Sequence, residues 1–576
     1  MLSCCLKEDL VLPLFVAIFF SLNCASAVKN NQPEVTICQG ILRGKILTTY
    51  SNRSVSAFLG IPYAQPPIGN LRFANPVAAD GWKGTRNATV DSNECPQISL
   101  LSKKINGDED CLYLNVYTPQ LPKNSISRLL PVMVFFHGGE FIIGSDTSSV
   151  YGPEFLLDKD VILVTLNYRL GPLGYLSTGD KVASGNWGLK DQILALKWVQ
   201  SNVKYFGGDP DQVTLFGQSA GAGSVHLLTM MDITIGLFHR YITESGSALA
   251  AWAYRPSGPY ASQAFDLGKY VGCFNTSTDP LIECLRTVDV SNILGSYPKF
   301  YDWQSFPLIV WGPTDEPNID GAILTDSPQN LIRNGRVRDL PWVSGVCRDD
   351  GLAMSIPFYE NETLVDYFLE NFDSILPIFL NWKYLPGSGT AWVEDIKSYY
   401  FKNFEADKNV ILAKLTVLVS DVYFNYPAYD ALRQQFATAV NPQYFYTFDY
   451  RGALSFSYAY GGTKSYCGVP HGEELLYLFP NPQNFQKERF WGHNETRSKK
   501  DYEMVNVMVE LWTSFATHGT PTSPAFGNNT KWEPFSITKA KNLHIGNKSN
   551  LGLTVEYPYF KERLQFWDEL KAKVPL

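Results

Sequence analysis

One stretch of the sequence decides the fold: Asp211-Gln-Val-Thr-Leu-Phe-Gly-Gln-Ser-Ala-Gly-Ala-Gly-Ser-Val-His226. The apolar residues between Val213 and Phe216 predict a short buried strand, and a helix-like run follows as far as Leu228. Between the two, Ser219 has a glycine two positions away on each side. This pattern predicts a nucleophile elbow, because the glycines permit a tight turn that points the serine into a cavity, with a helix N-terminus behind it. The alternative is an ordinary serine in a glycine-rich turn.

A second motif of the same kind lies upstream. The apolar run Leu130-Pro-Val-Met-Val-Phe-Phe136 predicts another buried strand, and His137-Gly-Gly-Glu-Phe141 follows it directly. A hydrolase needs backbone N–H groups near the oxyanion that forms on its substrate, and a glycine-rich loop after a central strand supplies them. The two motifs occur in the expected chain order and predict an α/β fold with serine hydrolase chemistry.

Composition indicates a large folded protein. The chain has 576 residues, of which 45% are hydrophobic and 14% aromatic. This is ample material for a large core, and it excludes a disordered chain. The formal net charge is −8, without a basic run. Such a balance argues against nucleic acid or an anionic membrane surface as a partner.

The N-terminus is typical of an export signal. Leu10 to Phe20 is an apolar run, and Ala25-Ser-Ala27 offers a small-residue cleavage site. The sequence therefore predicts a signal peptide over residues 1–27 and a catalytic domain over residues 28–576. A membrane anchor is the alternative, but a run of about 11 residues is too short to cross roughly 30 Å of hydrocarbon.

Other features of the sequence favour secretion without a membrane anchor. The C-terminus, Lys-Ala-Lys-Val-Pro-Leu, lacks the hydrophobic tail of a lipid-anchor signal. Seven Asn-x-Ser/Thr sequons offer surface sites for glycans. They are Asn52, Asn87, Asn275, Asn361, Asn494, Asn528 and Asn547.

Cysteine usage also fits an oxidising compartment. Of the ten cysteines, three precede the predicted cleavage site. Among the other seven, Cys95 with Cys111 and Cys273 with Cys284 are close in sequence and are predicted to close short loops as disulfides. Cys38, Cys347 and Cys467 have no obvious partners. An odd total leaves at least one thiol free or paired between chains.

Further motifs accompany the elbow along nearly the whole chain. They are Ala57-Phe-Leu-Gly-Ile-Pro-Tyr-Ala-Gln-Pro-Pro67, Leu71-Arg-Phe73, Glu109-Asp-Cys-Leu-Tyr-Leu-Asn-Val-Tyr117, Asn167-Tyr-Arg-Leu-Gly-Pro-Leu-Gly174, Gly185-Asn-Trp-Gly-Leu-Lys-Asp-Gln192 and Phe206-Gly-Gly-Asp-Pro210. Together they resemble the type-B carboxylesterase and cholinesterase family of α/β-hydrolases, from about Pro33 to near Trp567. The resemblance implies a large, mostly parallel twisted sheet flanked by helices, one catalytic domain, and hydrolysis of carboxylic esters.

The resemblance also indicates the general base. Catalytic residues of this fold follow the chain order Ser, Asp or Glu, then His. His471 lies in a turn-rich segment that matches the family's Gly-x-x-His-x-x-Glu pattern, which implies that it is the base. The other downstream candidates are less suitable, because His493 adjoins a sequon, His518 is near a predicted helix end and His544 is in a predicted strand.

The catalytic acid is expected after a further strand. Leu340 to Val346 predicts a buried strand, and catalytic residues collect at the carboxyl ends of strands in open parallel sheets. The family usually carries Glu immediately before the next glycine, a position that Asp350 fills here. The side chain is shorter by one methylene, so His471 must come closer or the geometry is looser. Asp349 is the rival candidate, and either could be a solvated turn residue.

The implied mechanism is acyl transfer through Ser219. By the family's pattern, the oxyanion donors are the backbone N–H groups of Gly139, Glu140 and Ala220. Glu140 stands where many relatives carry glycine. A carboxylate about 5 Å from the oxyanion, at an effective dielectric near 20, repels it by roughly 3 kcal/mol, or over a hundredfold in rate. We expect this side chain to turn away, to pair with a cation or to stay protonated, or alternatively to position the deacylating water.

Two departures from the cholinesterases narrow the substrate. Those enzymes carry a Trp within the first disulfide loop that stacks on a quaternary ammonium, whereas residues 95–111 contain no aromatic. They also place Glu before the nucleophile, where this chain has Gln218. A choline-ester hydrolase is therefore the less favoured activity. Gln218-Ser-Ala-Gly-Ala222 resembles insect-type esterases, including juvenile-hormone and venom carboxylesterases, which predicts an apolar, uncharged ester.

The remaining expectations concern partners and scaffold. A non-catalytic adhesion or binding relative is the alternative from another class, but such proteins usually lose the serine or its partners. Arg72 with Glu109, and Arg169 with Asp191, match ion pairs of the family. No His, Cys or Asp cluster has metal-ligand spacing, so we predict no metal or cofactor, and a small-molecule ester as the partner.

Overall fold

The computed structural model describes residues 32–573, except 100–102, 123–127, 384–390, 403–406, 463–467, 481–495, 528–530 and 549. The predicted signal peptide therefore lies outside the described residues. So do Cys467, His493 and the sequons at Asn494 and Asn528.

The central element is a sheet of eleven strands. In chain order they are β1 Lys45–Thr48, β2 Ser54–Pro62, β3 Tyr113–Thr118, β4 Leu130–Phe136, β5 Ile162–Leu166, β6 Gly208–Gln218, β7 Arg240–Glu244, β8 Trp342–Cys347, β9 Gln443–Tyr450, β10 Asn542–Lys548 and β11 Asn550–Glu556. The spatial order is β11-β10-β9-β8-β7-β6-β4-β5-β3-β2-β1. Two smaller sheets contain Glu34–Ile37, Gly40–Arg43 and Thr85–Asn87 in one, and Gln97–Ile98 and Ile105–Asn106 in the other.

The middle of the large sheet is parallel and its edges are antiparallel. The strands from β10 through β9, β8, β7, β6 and β4 to β5 run parallel to their neighbours. Antiparallel pairing joins β11 to β10 at one edge and β5, β3, β2 and β1 at the other. This arrangement agrees with the mostly parallel sheet that the resemblance implies.

Helices flank the sheet. The α-helices are α1 Gly171–Tyr175, α2 Trp187–Asn202, α3 Ala220–Leu228, α4 Ser257–Val271, α5 Thr278–Thr287, α6 Val290–Gly295, α7 Pro328–Arg333, α8 Leu352–Tyr359, α9 Glu362–Glu370, α10 Phe372–Phe379, α11 Ala391–Tyr400, α12 Lys408–Ser420, α13 Tyr426–Phe436, α14 Lys499–His518 and α15 Lys561–Lys573. A π-helical turn, Asp421–Asn425, joins α12 to α13. From Pro33 onward the chain forms one unit.

Burial on both faces of the sheet explains why the central strands are continuous apolar segments in the sequence, as β4 shows. All seven residues of β4 are buried. Val132, Val134 and Phe136 belong to one hydrophobic cluster, whereas Met133 and Phe135 belong to a second cluster, which also contains Met508 and Trp512 of α14. Successive side chains of a strand point to opposite faces, so each face of the sheet packs against its own core.

The structure contains both predicted disulfides and both predicted ion pairs. Cys95 is bonded to Cys111 and Cys273 to Cys284, while Cys38 and Cys347 are free thiols. Two charge-paired hydrogen bonds join Arg72 to Glu109, and two more join Arg169 to Asp191, where both side chains are buried. Among the described residues, no helix combines the length and the apolar character needed to cross a membrane.

Candidate active site

Ser219 lies in the sharp turn between β6 and α3. Its backbone angles are φ 57° and ψ −122°, a combination that side-chain-bearing residues rarely adopt. The turn is held from both sides, because the Ser219 N–H donates to the Glu244 carbonyl and the Ser219 carbonyl accepts from the Gly223 N–H, each at 2.9 Å. Strained backbone of this kind costs about 1–3 kcal/mol and persists only where the surroundings impose it.

The flanking glycines are required by backbone contacts. A Cβ atom on Gly221 would lie 2.0 Å from the carbonyl oxygen of Phe136, at the end of β4. A Cβ atom on Gly217 would lie 2.7 Å from the carbonyl carbon of Gly221. Both distances are shorter than any van der Waals contact allows. The elbow therefore packs too tightly against the central strand to admit any side chain at these two positions.

Asp350 and His471 come together beside the elbow. The Oδ1 atom of Asp350 lies 2.7 Å from Nδ1 of His471. The other carboxylate oxygen accepts hydrogen bonds from the Ser245 hydroxyl and from the Cys347 N–H, each at 2.9 Å. Burial raises the pKa of Asp350, while the hydrogen bond from His471 opposes the rise. A carboxylate with these partners can orient an imidazole and stabilise its positive charge.

The rival carboxylate has a different role. Oδ2 of Asp349 accepts a hydrogen bond from the Val469 N–H at 2.9 Å and so ties together the two loops that carry Asp350 and His471. Burial raises the pKa of Asp349 to about 6. Of the two candidates, Asp350 is the one that contacts His471. Its side chain is one methylene shorter than the glutamate usual in the family, but it still reaches normal hydrogen-bond distance.

His471 is fixed from several directions. It is buried, and the ring of Phe424 packs against the imidazole with centroids 4.5 Å apart. The Tyr460 hydroxyl donates to the His471 carbonyl at 2.9 Å. The second ring nitrogen, Nε2, lies 3.0 Å from Nε2 of Gln218. The sequence alone did not indicate this last contact, because Gln218 entered only as a departure from the cholinesterase motif.

The glycine-rich loop after β4 lies against the elbow. A Cβ atom on Gly138 would be 3.0 Å from Cβ of Ser219. Gly139 and Glu140 have φ angles of 108° and 59°, and the Gly139 carbonyl accepts from the N–H groups of residues 142 and 143. Within the described part of the chain, the N–H groups of Gly139 and Glu140 have no hydrogen-bond partner. Ala220 is the first residue of α3, where helix N–H groups lack intrahelical acceptors.

Comparison with known proteins identifies the family. The sequence profile described as "Carboxylesterase family" matches residues 31–567. The chain belongs to the carboxylesterase family. It is therefore a carboxylic ester hydrolase with the α/β-hydrolase fold, as the sequence predicted.

Individual relatives cover nearly the whole esterase. Esterase E4 of Myzus persicae is 36% identical over 93% of this chain and 93% of its own length. Juvenile hormone esterase of Tribolium castaneum is 32% identical, again over 93% of each chain. Cholinesterase of Mus musculus is 33% identical over 94% of this chain and 87% of its own length.

Glu140 gives the esterase an ionisable group within the site. Burial raises its pKa to about 7, while His471 in its protonated form and the Lys103 ammonium oppose the rise. Burial raises the pKa of Tyr301 to about 12 and also raises the pKa of Tyr423, and the negative charge of ionised Glu140 adds to both rises. The Glu140 carboxyl therefore keeps its proton to a higher pH than an exposed glutamate does.

Apolar rings line the elbow of the esterase on another side. A Cβ atom on Gly246 would lie 2.6 Å from the Ser219 carbonyl oxygen and 3.2 Å from the Trp252 ring. A Cβ atom on Gly223 would lie 3.3 Å from Trp252 and 3.7 Å from the ring of Phe141. The Trp252 ring therefore lies close to the Ser219 backbone, and both rings are buried, Phe141 completely.

Proposed function

We propose that this esterase is a secreted serine carboxylesterase that hydrolyses apolar, uncharged esters through an acyl-enzyme on Ser219. The observation that carries the proposal is the 2.7 Å contact between Asp350 and His471 beside the strained Ser219 elbow. A nucleophile, a base and an orienting carboxylate on three separate loops are the parts that acyl transfer needs.

The reaction proceeds in two halves. His471 takes the Ser219 proton while Oγ bonds to the ester carbonyl carbon, and the resulting imidazolium gives the proton to the departing alcohol. Water then attacks the acyl-enzyme with His471 as base, which releases the acid and restores Ser219. Asp350 holds the proton on Nδ1 throughout and stabilises the imidazolium.

The oxyanion is stabilised by the N–H groups of Gly139, Glu140 and Ala220. The first two lack partners within the described chain, and the third begins α3, where the helix dipole also favours negative charge. A single donor of this kind contributes roughly 2.7–4 kcal/mol to transition-state stabilisation.

An apolar and uncharged substrate fits the residues around the elbow. The Trp252 ring lies near Ser219 and makes the surroundings of the nucleophile apolar. The described part of the loop closed by Cys95 and Cys111 holds no aromatic side chain for a quaternary ammonium, and the neutral Gln218 precedes the nucleophile. The name of the Tribolium castaneum relative, juvenile hormone esterase, also accords with this class of ester.

Secretion is supported by features of the protein surface and its cysteines. The sequons at Asn52, Asn87, Asn361 and Asn547 are exposed, so glycans can be attached without disturbing the core. The two disulfides suit an oxidising compartment. We accordingly assign glycosylation to the sequons and release into the extracellular medium to the mature chain.

The test is hydrolysis of p-nitrophenyl esters from acetate to octanoate by the secreted protein and by Ser219→Ala. Removal of a serine nucleophile reduces kcat by about 10⁶-fold in a comparable enzyme, so turnover should fall to background. The chain length with the highest kcat/KM then gives the depth of the acyl pocket.

A matched control is Ser201→Ala, which removes an exposed hydroxyl on α2. Its kcat/KM should equal that of the unmodified esterase within about twofold. Full activity in Ser219→Ala would contradict the assigned nucleophile. A folded, glycosylated protein without turnover would instead favour a non-catalytic binding protein.

A further inference from the structure

The π-helical turn Asp421–Asn425 is a feature that the acyl-transfer scheme does not use. All five of its residues are buried. The ring of Phe424 packs against the imidazole of His471, with centroids 4.5 Å apart. The Tyr423 carbonyl accepts a hydrogen bond from the indole of Trp252 at 2.9 Å. Turns of this kind are rare and occur frequently at functional sites. Here the turn places an aromatic ring directly on the general base.

The same turn is connected to the loop of Asp350 on both sides of the carboxylate. Gly351, the next residue, donates its N–H to the hydroxyl of Ser420, which directly precedes the turn, at 2.9 Å. On the other side, the Arg348 carbonyl accepts from the Tyr559 hydroxyl at 2.5 Å. That hydroxyl in turn accepts from the side-chain amide of the last residue of the π-helical turn at 2.9 Å. One element therefore contacts both segments whose separation sets the contact between acid and base.

A single carboxylate holds the turn in this shape. Asp421, the first residue of the turn, is buried and accepts four hydrogen bonds. Two come from Nε and Nη2 of Arg563, at 2.5 and 2.9 Å. The others come from the Tyr400 hydroxyl at 2.7 Å and from the Asn425 amide at 2.8 Å. Arg563 belongs to α15, 142 positions along the chain. A bidentate pair of guanidinium and carboxylate is both strong and specific in geometry. Loss of Arg563 would leave a buried charge with half of its partners.

We propose that Arg563 and Asp421 form a positioning pair for the triad, whose ion pair keeps the π-helical turn in the conformation that holds acid and base together. This inference rests on the proposed function. The pair acts on the base through the ring of Phe424. It acts on the acid through the hydroxyl of Tyr559, which fixes the carbonyl two residues before Asp350. The C-terminal helix α15 is thereby coupled to the rate of acyl transfer.

The test begins with Arg563→Met, which removes the charge and both donors but keeps an unbranched side chain. We expect kcat on p-nitrophenyl butyrate to fall about 10- to 100-fold, since a shift of about 1 Å in a catalytic group can cost about a hundredfold. Arg563→Lys keeps the charge and should recover part of this loss. The rates are measured at a temperature at which circular dichroism shows every variant to be folded.

Arg433→Met is the matched control. Arg433 also binds α15 through two hydrogen bonds to an aspartate, from its Nη1 and Nη2 atoms to Asp568 at 2.9 and 2.6 Å, but it lies on α13 beyond the turn. Both side chains of this pair are partly exposed, so we expect kcat to stay within about twofold of the unmodified esterase. Equal losses of kcat in Arg433→Met and Arg563→Met would overturn the proposal.

Proton NMR separates positioning from a general loss of stability. The proton shared by Nδ1 of His471 and Asp350 lies in a short hydrogen bond, which moves its resonance far downfield, and its absence in Asp350→Asn identifies the signal. The signal should shift or broaden in Arg563→Met and stay unchanged in Arg433→Met. An unchanged signal in a folded Arg563→Met would overturn the proposal.

Tyr559→Phe decides the question if Arg563→Met does not fold. It removes the hydroxyl that binds the Arg348 carbonyl. Loss of one hydrogen bond should lower kcat about two- to tenfold and shift the same signal. A signal and a kcat that both stay unchanged would contradict the proposal. Because the signal is recorded without substrate, failure of the proposed function is distinguishable, since it shows as turnover that survives Ser219→Ala.

Discussion

The nucleophile elbow and the oxyanion loop lie side by side and reach unusual backbone conformations by different means. Ser219 has φ 57° in the elbow, and Glu140 has φ 59° in the loop. In the elbow, the glycine at 221 is required by the carbonyl of Phe136, which belongs to the central strand. In the loop, the glycine at 139 is required by the carbonyl of Ile143, which belongs to the loop itself.

This difference shows which parts of the site can vary. The elbow is wedged against β4, so a side chain at Gly221 would have to displace a strand in the middle of the core. The oxyanion loop turns on its own hydrogen bonds, from the N–H groups of residues 142 and 143 to the Gly139 carbonyl. It accommodates Glu140 without loss of this turn. The loop can therefore carry an added side chain such as that of Glu140, whereas the elbow admits no side chain at Gly217 or Gly221.

Outside these two regions, the largest expected effect is at Asp350, and it sets the scale for the effects predicted within them. Asp350→Asn keeps the size of the side chain but lets His471 adopt the wrong tautomer. We expect kcat to fall about 10⁴-fold, as for the equivalent change in a serine protease triad. The measurement is kcat on a p-nitrophenyl ester near neutral pH.

Asp349→Asn serves as the control for that variant. Asp349 bonds to the Val469 N–H rather than to the imidazole, and an asparagine oxygen can still accept this bond. A loss below about tenfold is expected. A larger loss in Asp349→Asn than in Asp350→Asn would mean that the two carboxylates have been assigned in the wrong order.

Alanine substitutions at Gly139 and Gly221 test whether the oxyanion loop and the elbow are supported in different ways. Gly139→Ala strains only the oxyanion loop, so the protein should fold while kcat falls about 10²- to 10³-fold through a displaced donor. Gly221→Ala forces the elbow away from β4 and should destabilise the fold by about 3 kcal/mol or more. Thermal unfolding and kcat are measured for both.

Gly223→Ala is the control for the elbow, since its Cβ atom would meet the side chains of Ala253 and Trp252 at 3.3 Å rather than a backbone atom. It should lower the unfolding temperature much less than Gly221→Ala. If Gly139→Ala unfolds the protein as readily as Gly221→Ala does, then the loop is as rigidly supported as the elbow and the contrast between them is wrong.

Local patterns in the sequence predicted much of the fold. The strand predicted over Leu130–Phe136 has those bounds as β4, and the helix predicted after the elbow ends at Leu228. The strand predicted over residues 340–346 is observed as Trp342–Cys347, a shift of one or two residues. Long apolar runs and glycine spacing are properties of neighbouring residues, so the sequence displays them directly.

Contacts between distant residues could not be predicted in the same way. Gln218 and His471 are 253 positions apart, and the Ser245 hydroxyl that supports Asp350 is 105 positions from it. The resemblance indicated which residues share the site, but it did not show what each side chain bonds to. Those bonds depend on side-chain conformations that only the packed sheet determines.

The smallest expected effect is a pH-dependent change in kcat/KM caused by Glu140, the side chain that the oxyanion loop accommodates. The pKa of this group is about 7, so the carboxyl is protonated below neutral pH and ionised above it. Ionisation places a negative charge near the oxyanion, and we expect kcat/KM to decline above pH 7 by up to about a hundredfold. Glu140→Gln keeps the size of the side chain, cannot ionise and should remove this alkaline decline.

Stability provides a second readout for the same variant. Because folding raises the pKa of Glu140 above its ordinary value, the folded state holds this proton more tightly than the unfolded chain does. The stabilisation is complete below the ordinary pKa of glutamate and is lost as the pH rises through about 7. Glu140→Gln should therefore gain in unfolding temperature relative to the unmodified esterase between acidic and neutral pH. If the alkaline decline of kcat/KM persists unchanged in Glu140→Gln, its cause lies in another ionisable group. The side chain that the oxyanion loop accommodates at position 140 would then have no effect on the rate.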